Sequence, residues 1–363
     1  MAAFGASAGL AGCALVDGRP GFDAVVAKAD RTQEFSGSPL YQNLAAAIAA
    51  APANGAQPFR ILLTKGQWRE RIVIDKAFIH LTGEGRNESI IVFNKGASDK
   101  GPDGQPLGTF GTATMMVSAP DFCANRLTIA NDFDYPGHAP TADDKTGRSG
   151  AQALALAIEG DADRTFLEDI HLPGYQDTLF ADTGRSLFRN CQIDGCVDFI
   201  FGKGRAVFEH CDILSKRRPG QDFNGFIAAP DTDMHQPYGM VFTGCRLLKE
   251  KDVAPHTVAL GRPWRHTTAF ADGRYGDPDN VGAAAFLHCW MDDHIVAEGW
   301  YPMGYNAKGG GRAMMQPEEA RFYEFDSSGP GAGLPSARRR QLKADEARAF
   351  ATPNVLQGWG ASD

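Results

Sequence analysis

The 363-residue chain contains no run of about 20 consecutive apolar residues, which excludes a membrane-spanning helix. It also lacks an excess of positive charge, because 36 Lys and Arg stand against 44 Asp and Glu and leave a net charge of -8. That balance gives no general attraction to nucleic acid or to anionic membranes. The nine His residues are dispersed and no Cys and His spacing is typical of zinc, so we expect neither a metal nor another cofactor.

Positive charge that a polyanionic partner could use is confined to short basic runs. The candidates for a local patch are Arg217, Arg218, Arg262 and Arg265, although such a run is more often a solvated surface. With 43% hydrophobic and 22% charged residues, the composition is that of an ordinary globular protein. We expect a folded monomer.

The N-terminal segment carries a candidate export signal. Leu10-Ala11-Gly12-Cys13 has the form of a bacterial lipobox, but no Lys or Arg precedes Arg19 and the apolar stretch is short. Either the true start lies farther upstream or Cys13 is incidental, and lipidation of Cys13 stays an open alternative. Setting Cys13 aside leaves six of the seven Cys, an even number that suits an oxidising compartment. We expect an extracytoplasmic protein, secreted, periplasmic or anchored to the outer membrane at Cys13, with 1–20 as this segment and 21–363 as one domain.

A row of similar segments recurs along the middle of the chain. Its members are Phe166-Leu-Glu-Asp-Ile170, Phe188-Arg-Asn-Cys-Gln-Ile193, Phe208-Glu-His-Cys-Asp-Ile213 and Phe242-Thr-Gly-Cys-Arg-Leu247, with Phe122-Cys-Ala-Asn-Arg-Leu127 as a weaker relative. Phe188 and Phe208 are 20 residues apart, while Phe208 and Phe242 are 34 apart and leave room for an insertion. Periods of about 20 residues built from short apolar runs indicate stacked β-coils.

These coils predict an all-β fold, a right-handed parallel β-helix with coils of roughly 20 residues. A leucine-rich repeat has a similar period, but its Leu-rich spacing is absent and the runs of Phe, Ile and Val favour strands. Short helices over residues 44–51 and 343–350 are expected to cap the ends. Long loops over residues 94–111 and 132–150 are expected to form a cleft.

Two cysteines take the same position in consecutive coils. Cys191 and Cys211 are 20 residues apart, and neighbouring parallel strands lie roughly 4.8 Å apart. That spacing falls inside the roughly 4.4 to 6.8 Å Cα separation of disulfides, so the pair could bridge two coils. Cys245 holds the same position one repeat later and competes as a partner, and a stack of reduced core cysteines is the other alternative.

Two aspartates follow successive members of the repeat. Asp177 lies 11 residues after Phe166, and Asp198 lies 10 after Phe188, so both should emerge on the same side of adjacent coils. Asp198 sits inside the apolar run Val197-Asp-Phe-Ile-Phe201, where a charge needs a compensating partner. Two close carboxylates do not both ionise easily, so one can act as nucleophile while its protonated neighbour acts as acid. A turn-capping role for either aspartate is the simpler alternative.

With these residues in view, the chain resembles the pectin methylesterases, or pectinesterases, from about Phe22 to Trp359. The motifs that carry the resemblance are Gly174-Tyr-Gln-Asp-Thr-Leu-Phe180, Val197-Asp-Phe-Ile-Phe-Gly202, Leu260-Gly-Arg-Pro-Trp264, Ala151-Gln-Ala-Leu154 and Gly66-Gln-Trp-Arg-Glu70. In the last of these, Trp68 stands where the family usually has Tyr. Their order along the chain makes the set specific, although any one motif would be moderate evidence.

The resemblance implies a hydrolase that removes methyl groups from pectin, either methylated polygalacturonate or oligogalacturonides, without a cofactor. Asp198 would attack the ester carbonyl and form an anhydride, while Asp177 would protonate the leaving methoxide and then activate water. Gln152 and Gln176 match the family's oxyanion pair. Arg262 would orient Asp198 and keep it ionised.

The resemblance also points to aromatic side chains that would present flat apolar surfaces to sugar rings. The expected cleft residues are Phe110, Phe201 and Trp264, with Tyr175, Phe180, Trp300 and Met303 as weaker candidates that could equally be core residues. The family's disulfide matches Cys191 and Cys211, which favours that pair over one with Cys245.

Two other classes of function compete with this one. A pectate lyase or polygalacturonase can share the β-helix, but a lyase would need clustered acids for calcium, whereas here two acids stand beside glutamines. A noncatalytic or thioesterase-like envelope protein would be indicated by loss of the catalytic positions, and none of them is lost.

Overall fold

The computed structural model describes residues 21–35, 37–138 and 150–359. In these ranges the chain winds in coils whose short strands build two large parallel sheets. The larger sheet has 17 strands and covers two adjoining faces of the coils. Its strands are Ala24–Val26, Leu40–Tyr41, Phe59–Leu63, Gly66–Arg69, Ile79–Gly83, Ser89–Phe93, Cys123–Asn131, Thr165–Leu172, Arg185–Arg189, Gln192–Gly195, Arg205–Glu209, Asp212–Ser215, Met240–Thr243, Arg246–Lys249, Ala283–Leu287, Trp290–Met291 and Arg321–Phe325.

A second parallel sheet of seven strands forms the remaining face. We call it the cleft sheet, and its strands are Ile72–Ile74, Met115–Val117, Leu156–Ile158, Leu179–Ala181, Val197–Gly202, Gly225–Pro230 and Val258–Gly261. Because successive coils pair in parallel in both sheets and such crossovers are right-handed, the fold is the right-handed parallel β-helix that the repeat predicted.

Hairpins and short helices lie outside the coils. The hairpin strands are Thr267–Phe270 with Gly273–Gly276 and Met303–Asn306 with Arg312–Met315. The α-helices are Leu44–Ala50, Tyr135–His138, Ala344–Ala347 and Thr352–Val355, and the 3-10 helices are Ala29–Phe35, Thr109–Thr112, Pro317–Glu319 and Arg348–Phe350. Within the described ranges, no helix is long and apolar enough to cross a membrane.

A stack of phenylalanines fills the core at the positions that the repeat indicated. The rings of Phe188, Phe208 and Phe242 follow one another with centroids 4.7 and 4.5 Å apart. Phe286 extends the stack at 4.3 Å, although it lies 44 residues after Phe242 and the sequence analysis missed it. Offset or parallel ring pairs add stability beyond their buried area. This stack therefore holds successive coils in a fixed register.

The predicted position of Phe166 in that row is wrong by one residue. Leu167 pairs with Phe188, so Leu167 faces the core and Phe166 faces outward against Leu187. Because side chains alternate between the two faces of a strand, a one-residue slip exchanges inside and outside. The correction makes the spacing to the catalytic candidates equal, since Asp177 now lies 10 residues after Leu167.

The N-terminal helix forms as predicted. It spans Leu44–Ala50, and the Asn43 side chain caps it by accepting a hydrogen bond from the Ala46 N–H. Its buried face packs into the main core beside the first coils.

The C-terminal helical segment also forms, but its predicted role as an end cap is wrong. The segment lies along the side of the coils, where Ala347 and Val355 cover an outward apolar row that includes Leu187, Val207 and Val241. That row needs cover because exposed apolar surface on a sheet face is unfavourable in water.

The structure contradicts the predicted disulfide between Cys191 and Cys211, because both are buried free thiols. Their Sγ atoms lie 3.4 and 3.5 Å from the carbonyl oxygens of Leu167 and Phe188. In-register parallel strands hold Cβ atoms side by side at about the 4.8 Å strand spacing, which exceeds the roughly 3.5 to 4.5 Å that a disulfide needs. The stack of reduced cysteines is the alternative that the structure adopts, and Cys245 and Cys289 continue it as buried thiols.

The two predicted loops differ in how much of them is described. The loop over residues 94–111 runs into the 3-10 helix Thr109–Thr112, and the loop that begins at residue 132 contains the helix Tyr135–His138. Residues 139–149 lie outside the described ranges, as do Cys13 and the rest of the N-terminal segment. The division of the chain at residue 20 therefore stays a prediction.

Candidate active site

A cleft of about 360 Å³ opens on the cleft sheet, and most of the predicted site residues line it. Its volume is within the usual range for small-molecule sites. The lining residues are Thr109, Phe110, Gln152, Gln176, Asp177, Asp198, Phe201, Ala229, Arg262, Trp264, His266, Thr267, Arg274 and Met303.

Asp198 forms the floor of this cleft. It is the second residue of the strand Val197–Gly202, it is 7% exposed, and its φ of 48° lies in the left-handed region. The register with the next coil shifts between Val197 and Ile200, which marks a local irregularity at this residue. Asp tolerates the left-handed region better than most residues, and such conformations often persist at functional sites. The bend accommodates a carboxylate within an otherwise apolar strand.

Arg262 compensates the Asp198 carboxylate with a two-pronged hydrogen bond. Its Nε donates to Oδ1 at 2.8 Å and its Nη2 donates to Oδ2 at 2.5 Å. The guanidinium carbon lies 3.9 Å from the centre of the Phe226 ring, and the Arg262 backbone N–H donates to the Ala228 carbonyl at 2.9 Å. A guanidinium fixed in this way holds both carboxylate oxygens in one orientation.

Asp177 lies one coil before Asp198 in the same register. The neighbouring Gln176 pairs with Val197, and the Asp177 N–H donates to the Val197 carbonyl at 3.1 Å. Asp177 also has a positive φ, of 60°. The prediction that both aspartates emerge on one side of adjacent coils is confirmed.

The pKa of Asp177 lies well above its ordinary value. Burial is the larger cause, because it takes the carboxylate out of water, and the negative charge of Asp198 adds to it. Arg262 and a hydrogen bond from Thr109 act in the opposite direction without cancelling the rise. The raised pKa therefore favours the protonated form of this carboxyl, while its neighbour is paired with a guanidinium.

Gln176 lies on the same coil as Asp177 and Gln152 lies on the coil before it, and both line the cleft. Their backbone carbonyls accept hydrogen bonds from Ala97 at 2.9 Å and Ala153 at 3.2 Å, which fixes both residues. Within the described ranges, neither side-chain amide hydrogen-bonds to another residue. Both amides are thus free to donate to an oxygen of a bound molecule.

One wall of the cleft is a closed ring of aromatic contacts. Phe110 packs on Phe180 and Phe180 on Phe201, both with centroids 4.8 Å apart. Trp264 lies 5.6 Å from Phe201, and His266 closes the circuit at 5.1 Å from Trp264 and 6.2 Å from Phe110. Phe110, Phe201 and Trp264 line the cleft directly, as expected, while Phe180 is buried behind them and supports the wall.

Of the weaker candidates, Met303 lines the cleft, whereas Trp300 and Tyr175 do not. Trp300 is fully buried, and its ring stacks on Phe322 at 4.1 Å, so its prediction as a substrate contact is wrong. A large aromatic beside an apolar run satisfies the core first. Tyr175 lies outside the cleft lining, stacked on Tyr135 at 5.0 Å beneath the Lys216 ammonium.

Of the arginines considered for a basic patch, Arg262 enters the cleft and the others make local contacts. Arg265 packs over the Tyr305 ring at 4.8 Å and donates to the Asn280 carbonyl at 2.9 Å. Arg217 donates to the Gln221 carbonyl at 2.8 Å. The cleft itself gains a second cation from Arg274, which the sequence analysis did not consider.

Four polar lining residues were missed by the sequence analysis: Thr109, His266, Thr267 and Arg274. Thr109 adjoins the predicted Phe110. The other three belong to the root or strands of the hairpin whose strands Thr267–Phe270 and Gly273–Gly276 face each other. The dipeptide Asp272-Gly273 is a hairpin signal that could have located this projection.

The arrangement has the parts for acyl transfer. A fixed carboxylate can attack, a neighbouring carboxyl can give and take a proton, and two amides can receive a developing negative charge. Among the described residues there is no cluster of three or more His, Cys, Asp or Glu side chains that could hold a metal.

The chain is similar to known proteins along nearly its whole length. The pectinesterase family model matches residues 23–358. Pectinesterase A of Dickeya dadantii (strain 3937) is 41% identical over 343 residues, which cover 93% of this chain and 91% of that protein.

Solved structures agree as well. A crystal structure of a pectin methylesterase in complex with hexasaccharide VII matches with a TM-score of 0.87 at 40% identity, covering 94% of this chain and 99% of that chain. The pectin methylesterase from Yersinia enterocolitica matches with a TM-score of 0.84 at 40% identity, covering 88% and 100% of the two chains. The resemblance expected from the motifs therefore extends to the fold of nearly the whole chain.

Proposed function

The chain belongs to the pectinesterase family, and on that premise we propose that it hydrolyses the methyl esters of pectin with Asp198 as nucleophile and Asp177 as acid and base. The observation that carries this proposal is the placement of the two aspartates in one cleft, in register on adjacent coils, with Arg262 bound to only one of them. Unequal surroundings give two like groups different roles.

In the first step an Asp198 oxygen attacks the carbonyl carbon of the galacturonate methyl ester. The C–O bond that forms makes a tetrahedral intermediate, whose oxyanion would accept hydrogen bonds from the amides of Gln152 and Gln176. Collapse of the intermediate breaks the bond to the methoxy group. Asp177 supplies the proton, so methanol leaves and an anhydride joins the substrate to Asp198.

In the second step Asp177 acts as a base, because it lost its proton in the first step. Its carboxylate removes a proton from water, and the resulting nucleophile attacks the galacturonate carbonyl carbon of the anhydride. The bond to Asp198 breaks, and both aspartates return to their starting protonation states. Free galacturonate leaves as the product, with one water consumed and one methanol released.

The aromatic wall supports a role in holding sugar rings. Phe110, Phe201 and Trp264 present apolar surface along the cleft beside the reacting groups. Such surfaces suit the apolar faces of pyranose rings. A relative solved with a hexasaccharide supports an oligogalacturonide as a sufficient substrate.

We also propose that the enzyme acts outside the cytoplasm as a monomer. Pectin is an extracellular polymer, so an enzyme that acts on it must reach it outside the cytoplasm. Anchorage through Cys13 stays a proposal, because that residue lies outside the described ranges.

The decisive experiment measures methanol release from methylated polygalacturonate and from methylated oligogalacturonides. Asp198→Ala should lower kcat by at least roughly 10³-fold, since removing a nucleophile leaves only binding and oxyanion stabilisation. Asp212→Asn is the matched control, because Asp212 pairs with Arg246 on the outer face and lies away from the cleft. Activity retained by Asp198→Ala would overturn the mechanism.

The same assay tests the noncatalytic alternative. If the wild-type protein releases no methanol from either polymer or oligomer, an envelope protein without esterase activity is the better interpretation. Release from oligomers alone would keep the function and define the substrate length.

A further inference from the structure

His266 is the one member of the aromatic wall with a side chain that titrates near neutral pH. Its ring stands edge-on to Trp264, at an interplanar angle of 82°, and it lines the cleft. Among the described residues, no side chain or backbone group hydrogen-bonds to the His266 ring. Its ring nitrogens are therefore available to a molecule in the cleft.

The position of His266 is fixed by its backbone. Its N–H donates to Asp231 Oδ1 at 2.9 Å, and its carbonyl accepts from the Asp277 N–H at 2.9 Å. Asp231 is only 1% exposed, so this anchor lies inside the protein. The imidazole is thus held at the root of the hairpin by buried contacts, and it does not behave as a free surface side chain.

Charged groups around His266 act in both directions. Burial lowers its pKa below the ordinary value, and Lys203 and Arg274 lower it further. Asp182 and Asp277 oppose them. The imidazole is consequently neutral at neutral pH, and a lower pH is needed to protonate it than for a histidine in water.

We propose that His266 is a specificity-determining residue that senses whether a galacturonate near the reacting one carries a methyl ester or a free carboxylate. The inference rests on the proposed function. A neutral imidazole between Trp264 and Phe110 extends an apolar wall that suits a methyl ester. The protonated imidazole places a positive charge at the same wall and favours an ionised carboxylate.

The consequence is a substrate preference that changes with pH. Carboxyl groups of galacturonate type titrate near about 3.5, so they stay ionised from about pH 5 upward. As the pH falls below about 7, a growing fraction of His266 becomes protonated, while the substrate charge stays unchanged down to about pH 5. Partly de-esterified oligomers should therefore gain relative to fully esterified ones as the solution becomes more acid.

The test compares kcat/KM for a fully methylated oligogalacturonide and for the same oligomer with one free carboxylate. In the wild type, the ratio of the second to the first should rise as the pH falls from about 7 to about 5, by up to roughly fivefold, the largest effect expected of a partly exposed ion pair. His266→Gln and His266→Phe should both give a ratio that is flat with pH. Phe keeps an aromatic ring in the wall, so agreement of the two variants excludes a loss of packing as the cause.

Taking a ratio removes effects common to both substrates, including titration of the catalytic carboxyls. His235→Gln is the matched control, since His235 is exposed and pairs with Asp233 away from the cleft, and its ratio should match the wild type. A pH-dependent ratio that survives in both His266 variants would overturn the inference and assign the effect to Asp182 or Asp231. Absence of methanol from both substrates would instead overturn the proposed function, and this inference with it.

Discussion

The same coil register builds the core stack and the cleft, but it brings different kinds of side chain together in each. In the core, equal residues lie over one another, as in Phe208 and Phe242 with ring centroids 4.5 Å apart. In the cleft, the register brings together Asp177 and Asp198, two groups that repel when both are charged. The repeated register therefore stabilises the core, whereas in the cleft it places two carboxyl groups close together. Pairing of Asp198 with Arg262 and protonation of Asp177 relieve the repulsion between them.

Two arginine–aspartate pairs have similar geometry in different surroundings. Arg262 and Asp198 form a two-pronged pair at 2.8 and 2.5 Å, and Arg246 and Asp212 form one at 2.7 and 2.6 Å. The side chains of Arg262 and Asp198 are 23% and 10% exposed, whereas those of Arg246 and Asp212 on the outer face are 61% and 29% exposed. Equal contacts therefore have unequal consequences, because water screens the outer pair.

Replacing Arg262 should reduce activity much more than replacing Arg246, although the two arginines form similar ion pairs. Arg262→Leu leaves Asp198 without the guanidinium that fixes its oxygens, and misorientation of a reacting group costs roughly 10²-fold in rate. We expect kcat for methanol release to fall by about that factor.

Arg246→Leu is the matched control on the outer face. It should leave kcat unchanged within about twofold and change the free energy of unfolding by less than about 1 kcal/mol. Equal losses of activity in the two variants would contradict the assignment of Arg262 to the reaction.

The pH dependence of the reaction should give an intermediate effect. Asp177 must be protonated to release methanol, so kcat/KM should fall as the pH rises through its raised pKa. The Thr109 hydrogen bond stabilises the charged form and lowers that pKa. Thr109→Val removes it, so the pKa should rise and the alkaline limb of the kcat/KM profile should move to higher pH.

The direction of that movement is the test. Thr183→Val is the control, because the Thr183 hydroxyl donates to the Ala162 carbonyl outside the cleft and should leave the limb in place. A limb that moves to lower pH in Thr109→Val would show that another group limits the alkaline side.

The fold was predictable because the coil period is written in the sequence, and its errors have physical causes. The repeat at Phe286 was missed because 44 residues separate it from Phe242, which hides the period behind an inserted hairpin. Phe166 was placed one residue out of register because a strand with apolar residues on both faces gives no local sign of which face is inside.

The floor of the cleft was likewise predictable, whereas part of its wall was not. Asp177, Asp198 and Arg262 lie in ordered motifs, and the coil register then brings them together. His266 reaches the cleft through the contact of its N–H with Asp231, 35 residues earlier in the chain. No local pattern encodes that contact, so the hairpin residues escaped the sequence analysis.

The smallest effect is expected in the cysteine stack, where identical register produces no chemistry. Cys211→Ala should lower the free energy of unfolding by only about 1 kcal/mol, the cost of one small buried group. A disulfide to Cys191 would instead be worth about 2 to 4 kcal/mol.

Alkylation without reductant, read by peptide mass spectrometry, should label Cys191 and Cys211 fully after unfolding and not at all before it, because both thiols are free and buried. Peptides that stay unlabelled after unfolding would show that Cys191 and Cys211 form a disulfide. The cysteine stack would then no longer contrast, as an inert row of equal residues, with the reactive cleft.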